Sequence, residues 1–175
     1  MKSPIGRAAP PRSAPVAVIL GSDSDRGPMQ GCLDTLRNLG VPYVLRIISA
    51  HRAPHLLEKF ARKADKHHAV IIAAAGGAAH LAGAIAARTF VPVIGVPLVT
   101  APLGGLDALC STVQMPPGVP VATVAVGEWG APNAAILAAE ILALSDRAIR
   151  KALRTHRAKL ARAVAAKDRE AVEHT

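Results

Sequence analysis

A hydroxyl, an imidazole and a guanidinium fall within one six-residue stretch, Ser49-Ala50-His51-Arg52-Ala53-Pro54. The stretch follows an apolar run at residues 43–48 that reads as a buried strand, and Pro54 suits the first turn of a helix. Ligands bind in open parallel sheets where strands end and helices begin. An arginine at that edge suits a phosphate or carboxylate. A histidine there can move a proton near neutral pH. The stretch has the make-up of a small-molecule active site.

Two further loops share its setting. Gly21-Ser22-Asp23-Ser24-Asp25 follows a first apolar run at residues 16–20 and offers hydroxyls, carboxylates and helix-capping side chains. Ala75-Gly76-Gly77-Ala78-Ala79-His80 follows a third run and offers bare backbone N–H groups and a second imidazole. Glycine lets an anion approach such amides at a helix start. Alone, each loop has a plainer reading: Ser22 and Asp25 as caps, Gly76-Gly77 as a turn, His80 as a satisfied core histidine. Three of them on one sheet edge favour a binding site for a phosphorylated, hydroxyl-bearing small molecule.

The elements that position these loops alternate. Strands are expected at residues 16–20, 43–48, 70–74, 93–96 and 121–126. Helices are expected at about 29–39, 54–66, after Gly77 and carrying His80, from Gly105 towards Met115, and at 131–144. The strands are continuous β-branched runs, so helices should cover both faces. Alternation at this spacing argues for a parallel sheet with right-handed crossovers. The expected fold is α/β: a three-layer α/β/α sandwich over residues 15–145, preceded by a flexible leader at 1–14. A basic helical extension at 146–175 follows.

Composition limits the alternatives. The 175 residues are 51% hydrophobic, enough for a folded domain with a real core. Much of that fraction is alanine, with one Trp, one Tyr and two Phe, so oligomerisation is expected to complete the core. The net charge is +9, and nine of the 21 Lys and Arg lie in residues 146–175 among four acids. That segment has no aromatic residue to stack bases and no recognition motif. A solvated helix bordering an oligomer is the preferred reading over nucleic-acid binding. Cys32 and Cys110 lack metal-like spacing, which points to a reduced, cytoplasmic protein. The leader lacks the apolar core of a signal peptide, and no unpunctuated apolar run is long enough for a membrane span.

Metal sites are poorly supported. His51 and His55 are four residues apart, but Pro54 and the helix start spoil a common face; adjacent His67 and His68 diverge. Neither pair has a third ligand nearby. No nucleophile elbow, Walker loop or complete dinucleotide fingerprint is present.

Taken in order, the motifs carry a resemblance. They are Gly21-Ser22-Asp23-Ser24-Asp25, Ser49-Ala50-His51-Arg52, Ala75-Gly76-Gly77-Ala78-Ala79-His80-Leu81 and Gly95-Val96-Pro97. Gly105-Leu106-Asp107-Ala108-Leu109, Val113-Gln114-Met115-Pro116 and Gly118-Val119-Pro120-Val121-Ala122-Thr123 continue the series. From about Val16 to Leu144 the chain resembles the catalytic subunit family of phosphoribosylaminoimidazole carboxylase. Within it, the chain is similar to the class I form, the N5-carboxyaminoimidazole ribonucleotide mutases of purine biosynthesis. The resemblance implies a flavodoxin-like fold assembled as a homo-octamer, with active sites near subunit contacts and neither metal nor organic cofactor. It implies transfer of a carboxylate from the exocyclic amine of an aminoimidazole nucleotide to a ring carbon, with carbon dioxide released and recaptured. In that scheme His51 shuttles the proton of the ring carbon. Ser22, Asp25 and Arg52 hold ribose and phosphate, with Ser49, Ala50, Gly76, Gly77, His80 and Leu81 completing the substrate site. A nucleotide substrate and no nucleic-acid or membrane partner follow.

The chain departs from the family pattern at Arg26, Ala74, Ala82, Ala84, Ala108 and Glu128-Trp129. Loss of a proline at Ala82 should loosen the loop after His80. These departures keep three alternatives in view. One is a paralogue acting on a related azole nucleotide, and another is a direct carbon-dioxide-dependent carboxylase. The third is a non-catalytic nucleotide-binding module.

Overall fold

The computed structural model describes residues 15–100 and 103–173. The expected leader at 1–14 lies outside the described residues. Five parallel strands, β1 (Val16–Leu20), β2 (Tyr43–Ile47), β3 (Val70–Gly76), β4 (Val93–Leu98) and β5 (Ala122–Thr123), form one sheet in the order β2-β1-β3-β4-β5. This is a doubly wound, flavodoxin-like order, and its reversal point lies between β1 and β3.

Alternation along the strands sends successive side chains to opposite faces, and each face has its own core. Val16, Val18, Leu20, Val70, Ile72, Ile94 and Val96 pack with α1 (Gln30–Asn38), α6 (Gly130–Leu142) and the start of α7 (Arg147–Glu173). Ala17, Ile19, Ile71, Ala73 and Val93 pack with α2 (Pro54–Ala61), α3 (Ala64–His67) and α4 (Leu81–Ala86). Burying each large aliphatic side chain in these layers contributes about 1.5–3 kcal/mol. The alanine content has a clear use here. Ala131, Ala134, Ala135, Ala138 and Ala139 are fully buried on α6 and leave it little side-chain height above the sheet.

The remaining helix, α5 (Leu106–Val113), packs against β4 at Gly95, where a Cβ would stand 2.3 Å from the Thr112 methyl. The terminal α7 is tied to the body at its start. Asp146 accepts from the Ala148 and Ile149 N–H groups at 2.8 and 3.2 Å, as a helix cap does. Arg150 donates to the Ala143 carbonyl from Nε at 2.9 Å and Nη2 at 2.6 Å, placing a cation at the α6 C-terminus. Ile149 and Leu153 are buried, whereas Leu160, Val164 and Val172 further along are exposed.

The expected elements shift in three places. The helix expected at 54–66 is two helices, because the chain turns at Arg62 and Lys63 to seat Ala64 in the core before it enters β3 at Val70. The strand expected at 121–126 contracts to two paired residues. Pro120 precedes it, and beyond Val124 the backbone leaves for the positive φ of Gly127. Conversely, β3 and β4 run on to Gly76 and Leu98, two residues past their expected ends. Pro97 is tolerated there because β5 ends opposite Gly95.

Candidate active site

Strand register brings the three loops together. Leu20 of β1 pairs with Ile47 of β2 on one side and Ala74 of β3 on the other, so β1 and β2 end level while β3 runs two residues further to Gly76. The loops that follow surround a cleft of about 480 Å³. Gly21, Ser22, Ser24, Asp25, Ser49, Ala50, His51, Arg52, Gly76, His80, Leu81 and Thr100 are among its lining residues. Thus nine of the ten expected site residues line one space at the sheet's carboxyl edge.

The tenth, Gly77, is adjacent but committed elsewhere. Its N–H donates to the Thr100 hydroxyl at 3.0 Å, so this amide is engaged within the protein.

The two imidazoles meet in this cleft. His51 Nε2 and His80 Nδ1 are 2.8 Å apart, with ring centroids at 5.0 Å and planes at 87°. A hydrogen bond between two ring nitrogens requires one to carry the proton and the other to accept it. Each ring keeps its second nitrogen for another partner. Both side chains are exposed, so a proton can pass between the pair and a bound molecule.

Around them lie groups suited to ribose and phosphate. Ser49 Oγ accepts from the Arg52 backbone N–H at 3.2 Å and from its Nε at 3.3 Å, which turns the guanidinium along the loop. Asp25 accepts from the Ser22 N–H at 2.9 Å, and Ser24 Oγ stands 3.0 Å from Ser22 Oγ. Ser22 and Asp25 therefore cap the short helix that follows and also face the cleft; the two readings coexist. Burial pushes the Asp25 carboxyl above its ordinary value, against the opposing pull of the Ser22 and Gly21 amides and the Arg52 charge.

Ser24 and Thr100 are lining residues that the motif reading left out of the site. Ser24 sits inside the quoted first loop and was legible there. Thr100 carries no local signal, since its place depends on β3 and β4 ending side by side. The out-of-pattern residues Arg26, Ala74, Ala82, Ala108 and Trp129 do not line the cleft. Arg26 pairs instead with Asp23 at 3.4 Å, and Ala82 is buried in α4. Among the described residues no group of three His, Cys, Asp or Glu side chains could hold a metal ion. Among the described residues no helix is long and apolar enough to cross a membrane.

An open parallel sheet in this order, with two imidazoles and Ser, Asp and Arg side chains gathered at its topological reversal, defines a flavodoxin-like α/β protein with a cleft where such folds bind small molecules. The AIR carboxylase family model matches residues 15–163, and the chain belongs to that family. It is 52% identical over 139 residues to the N5-carboxyaminoimidazole ribonucleotide mutase of Haemophilus influenzae, covering 79% of this chain and 85% of that one. The protein of the same name from Mycobacterium leprae is 51% identical over 158 residues, or 90% and 91% of the two chains. Among solved structures, Treponema denticola PurE superposes with a TM-score of 0.80 at 26% identity. That match covers 89% of this chain and 96% of the other.

Proposed function

We propose that this chain is an N5-carboxyaminoimidazole ribonucleotide mutase of purine biosynthesis. The observation that carries the reading is the 2.8 Å contact between His51 and His80 in a cleft rimmed by Arg52 and the first loop. About half-identity to mutases over most of the chain supports it.

The reaction needs little beyond what the cleft holds. The bond between the exocyclic nitrogen and its carboxylate breaks, carbon dioxide departs, and the nitrogen gains a proton. The ring carbon then forms a bond to the same carbon dioxide and gives up its own proton. Bonds and protons balance, so the enzyme needs one group that holds a proton and returns it. His51 takes that role at the ring carbon, with His80 holding its second nitrogen. Ser22, Asp25 and Arg52 hold ribose and phosphate. Ser49, Ala50, Gly76, Gly77 and Leu81 shape the loops around them.

Carbon dioxide must be retained, which requires water to be kept out. We place the chain in a homo-octamer whose subunit contacts close the cleft. Exposed Val99 and Leu103 after β4, Leu106 at the start of α5 and Trp129 after β5 offer the apolar surface. Two free cysteines, one buried and one exposed, suit the cytoplasm.

The test offers the protein either the N-carboxylated nucleotide or the free aminoimidazole nucleotide with bicarbonate. Conversion of the first alone identifies the mutase. Conversion of the second alone assigns the direct carboxylase, and conversion of neither assigns a paralogue or a binding module.

A further inference from the structure

Thr100 follows β4 by two residues and lines the cleft. Its hydroxyl accepts the Gly77 N–H at 3.0 Å. Its methyl lies where Gly76 has no side chain: a Cβ there would stand 2.4 Å from that methyl and 3.3 Å from the Leu98 carbonyl oxygen. The backbone of the glycine turn is therefore pressed onto Thr100 and bonded to it.

That turn is strained. Gly77 has φ +60°, and Ala79 has φ +42°, a left-handed conformation that a residue with a Cβ seldom adopts. Ala79 is buried and lines the cleft. Such a conformation persists only where its surroundings over-determine it, and it collects at functional sites. Two bonds hold this one: Ala79 N–H to the Gly76 carbonyl at 3.2 Å, and Gly77 N–H to Thr100. The next residue is His80, whose Nδ1 meets His51.

We propose that Thr100 is a positioning residue for the acid–base pair. It grips Gly77 and thereby holds the strained turn that delivers His80 to His51. This deepens the mutase reading and rests on it.

Thr100→Val keeps the branched shape and removes the acceptor; Thr100→Ser keeps the hydroxyl and removes the methyl. Thr100→Val is expected to lower kcat about tenfold or more, since small misplacements of catalytic groups are costly. KM in Thr100→Val, and both constants in Thr100→Ser, should stay within about threefold of the parent protein. The ring ¹⁵N signals of His51 and His80 should shift in Thr100→Val and hold in Thr100→Ser. If Thr100→Val fails to fold, Thr100→Ala removes the acceptor without crowding and carries the same expectations. An unchanged kcat with unshifted ring signals overturns the proposal, as does a loss confined to KM. If the parent protein turns over no N-carboxylated nucleotide, the mutase reading fails, yet the ring signals still decide the role of Thr100.

Discussion

His51 Nε2 and His80 Nδ1 meet at 2.8 Å although 29 residues of chain separate them. One histidine follows β2 and the other follows β3, the two strands that flank β1. The contact depends on β2 ending level with β1, on β3 running two residues further to Gly76, and on a strained turn at Ala79.

In the proposed mutase reading His80 acts through His51. Replacing it with Ala should lower kcat by roughly tenfold to a hundredfold while leaving KM nearly unchanged, because the remaining imidazole loses its orientation. Steady-state kinetics check this. A rise in KM with unaltered kcat would assign His80 to substrate binding instead.

Arg52 should behave in the opposite way. Charge-assisted hydrogen bonds contribute about 1.5–3 kcal/mol, so Arg52→Ala should weaken nucleotide affinity roughly tenfold to a hundredfold. Calorimetric titration with a non-reacting nucleotide measures it. Unaltered affinity removes Arg52 from the phosphate position.

Asp25 predicts a pH dependence of stability. Its carboxyl is raised by burial in the folded protein and takes its ordinary value in the unfolded chain. Between those two values the folded state holds more protons than the unfolded one, so this group's contribution falls as pH rises. Asn at this position keeps an acceptor for the Ser22 N–H and has no ionisation to suppress. Denaturant melts from about pH 4 to pH 7 should show Asp25→Asn gaining on the parent protein as pH increases. A pH-independent difference would contradict the burial of this carboxylate.

Gly95 tests the scaffold away from the cleft. A Cβ there would lie 2.3 Å from the Thr112 methyl and 2.9 Å from Val121. Gly95→Ala should cost about 1–3 kcal/mol by overpacking β4 against α5. Urea unfolding reads the loss directly.

How much was legible follows from the range of each signal. The first four strands are compact apolar runs bounded by chemistry-bearing loops, and period and punctuation are local. The cleft was legible too, because the loops that follow β1, β2 and β3 must share an edge once the sheet is parallel. The break at Arg62 was not legible, since nothing local interrupts the helical pattern and burial of Ala64 decides it. The shortening of β5 was hidden because four of the six residues at 121–126 are Val or Thr, types that favour strands. Thr100 was hidden because its bond to Gly77 spans 23 residues. In the sequence Gly77 offers a bare amide, and only the folded chain shows its partner.

The proton role of His51 is the central claim, and a deuterium label on the reacting ring carbon tests it most directly. Magnetic resonance follows loss of the label to solvent as the N-carboxylated nucleotide turns over. The parent protein should release the label in step with product. His51→Asn should bind the nucleotide with near-parent affinity and slow release by about a hundredfold or more. Release from His51→Asn at the parent rate would contradict the account.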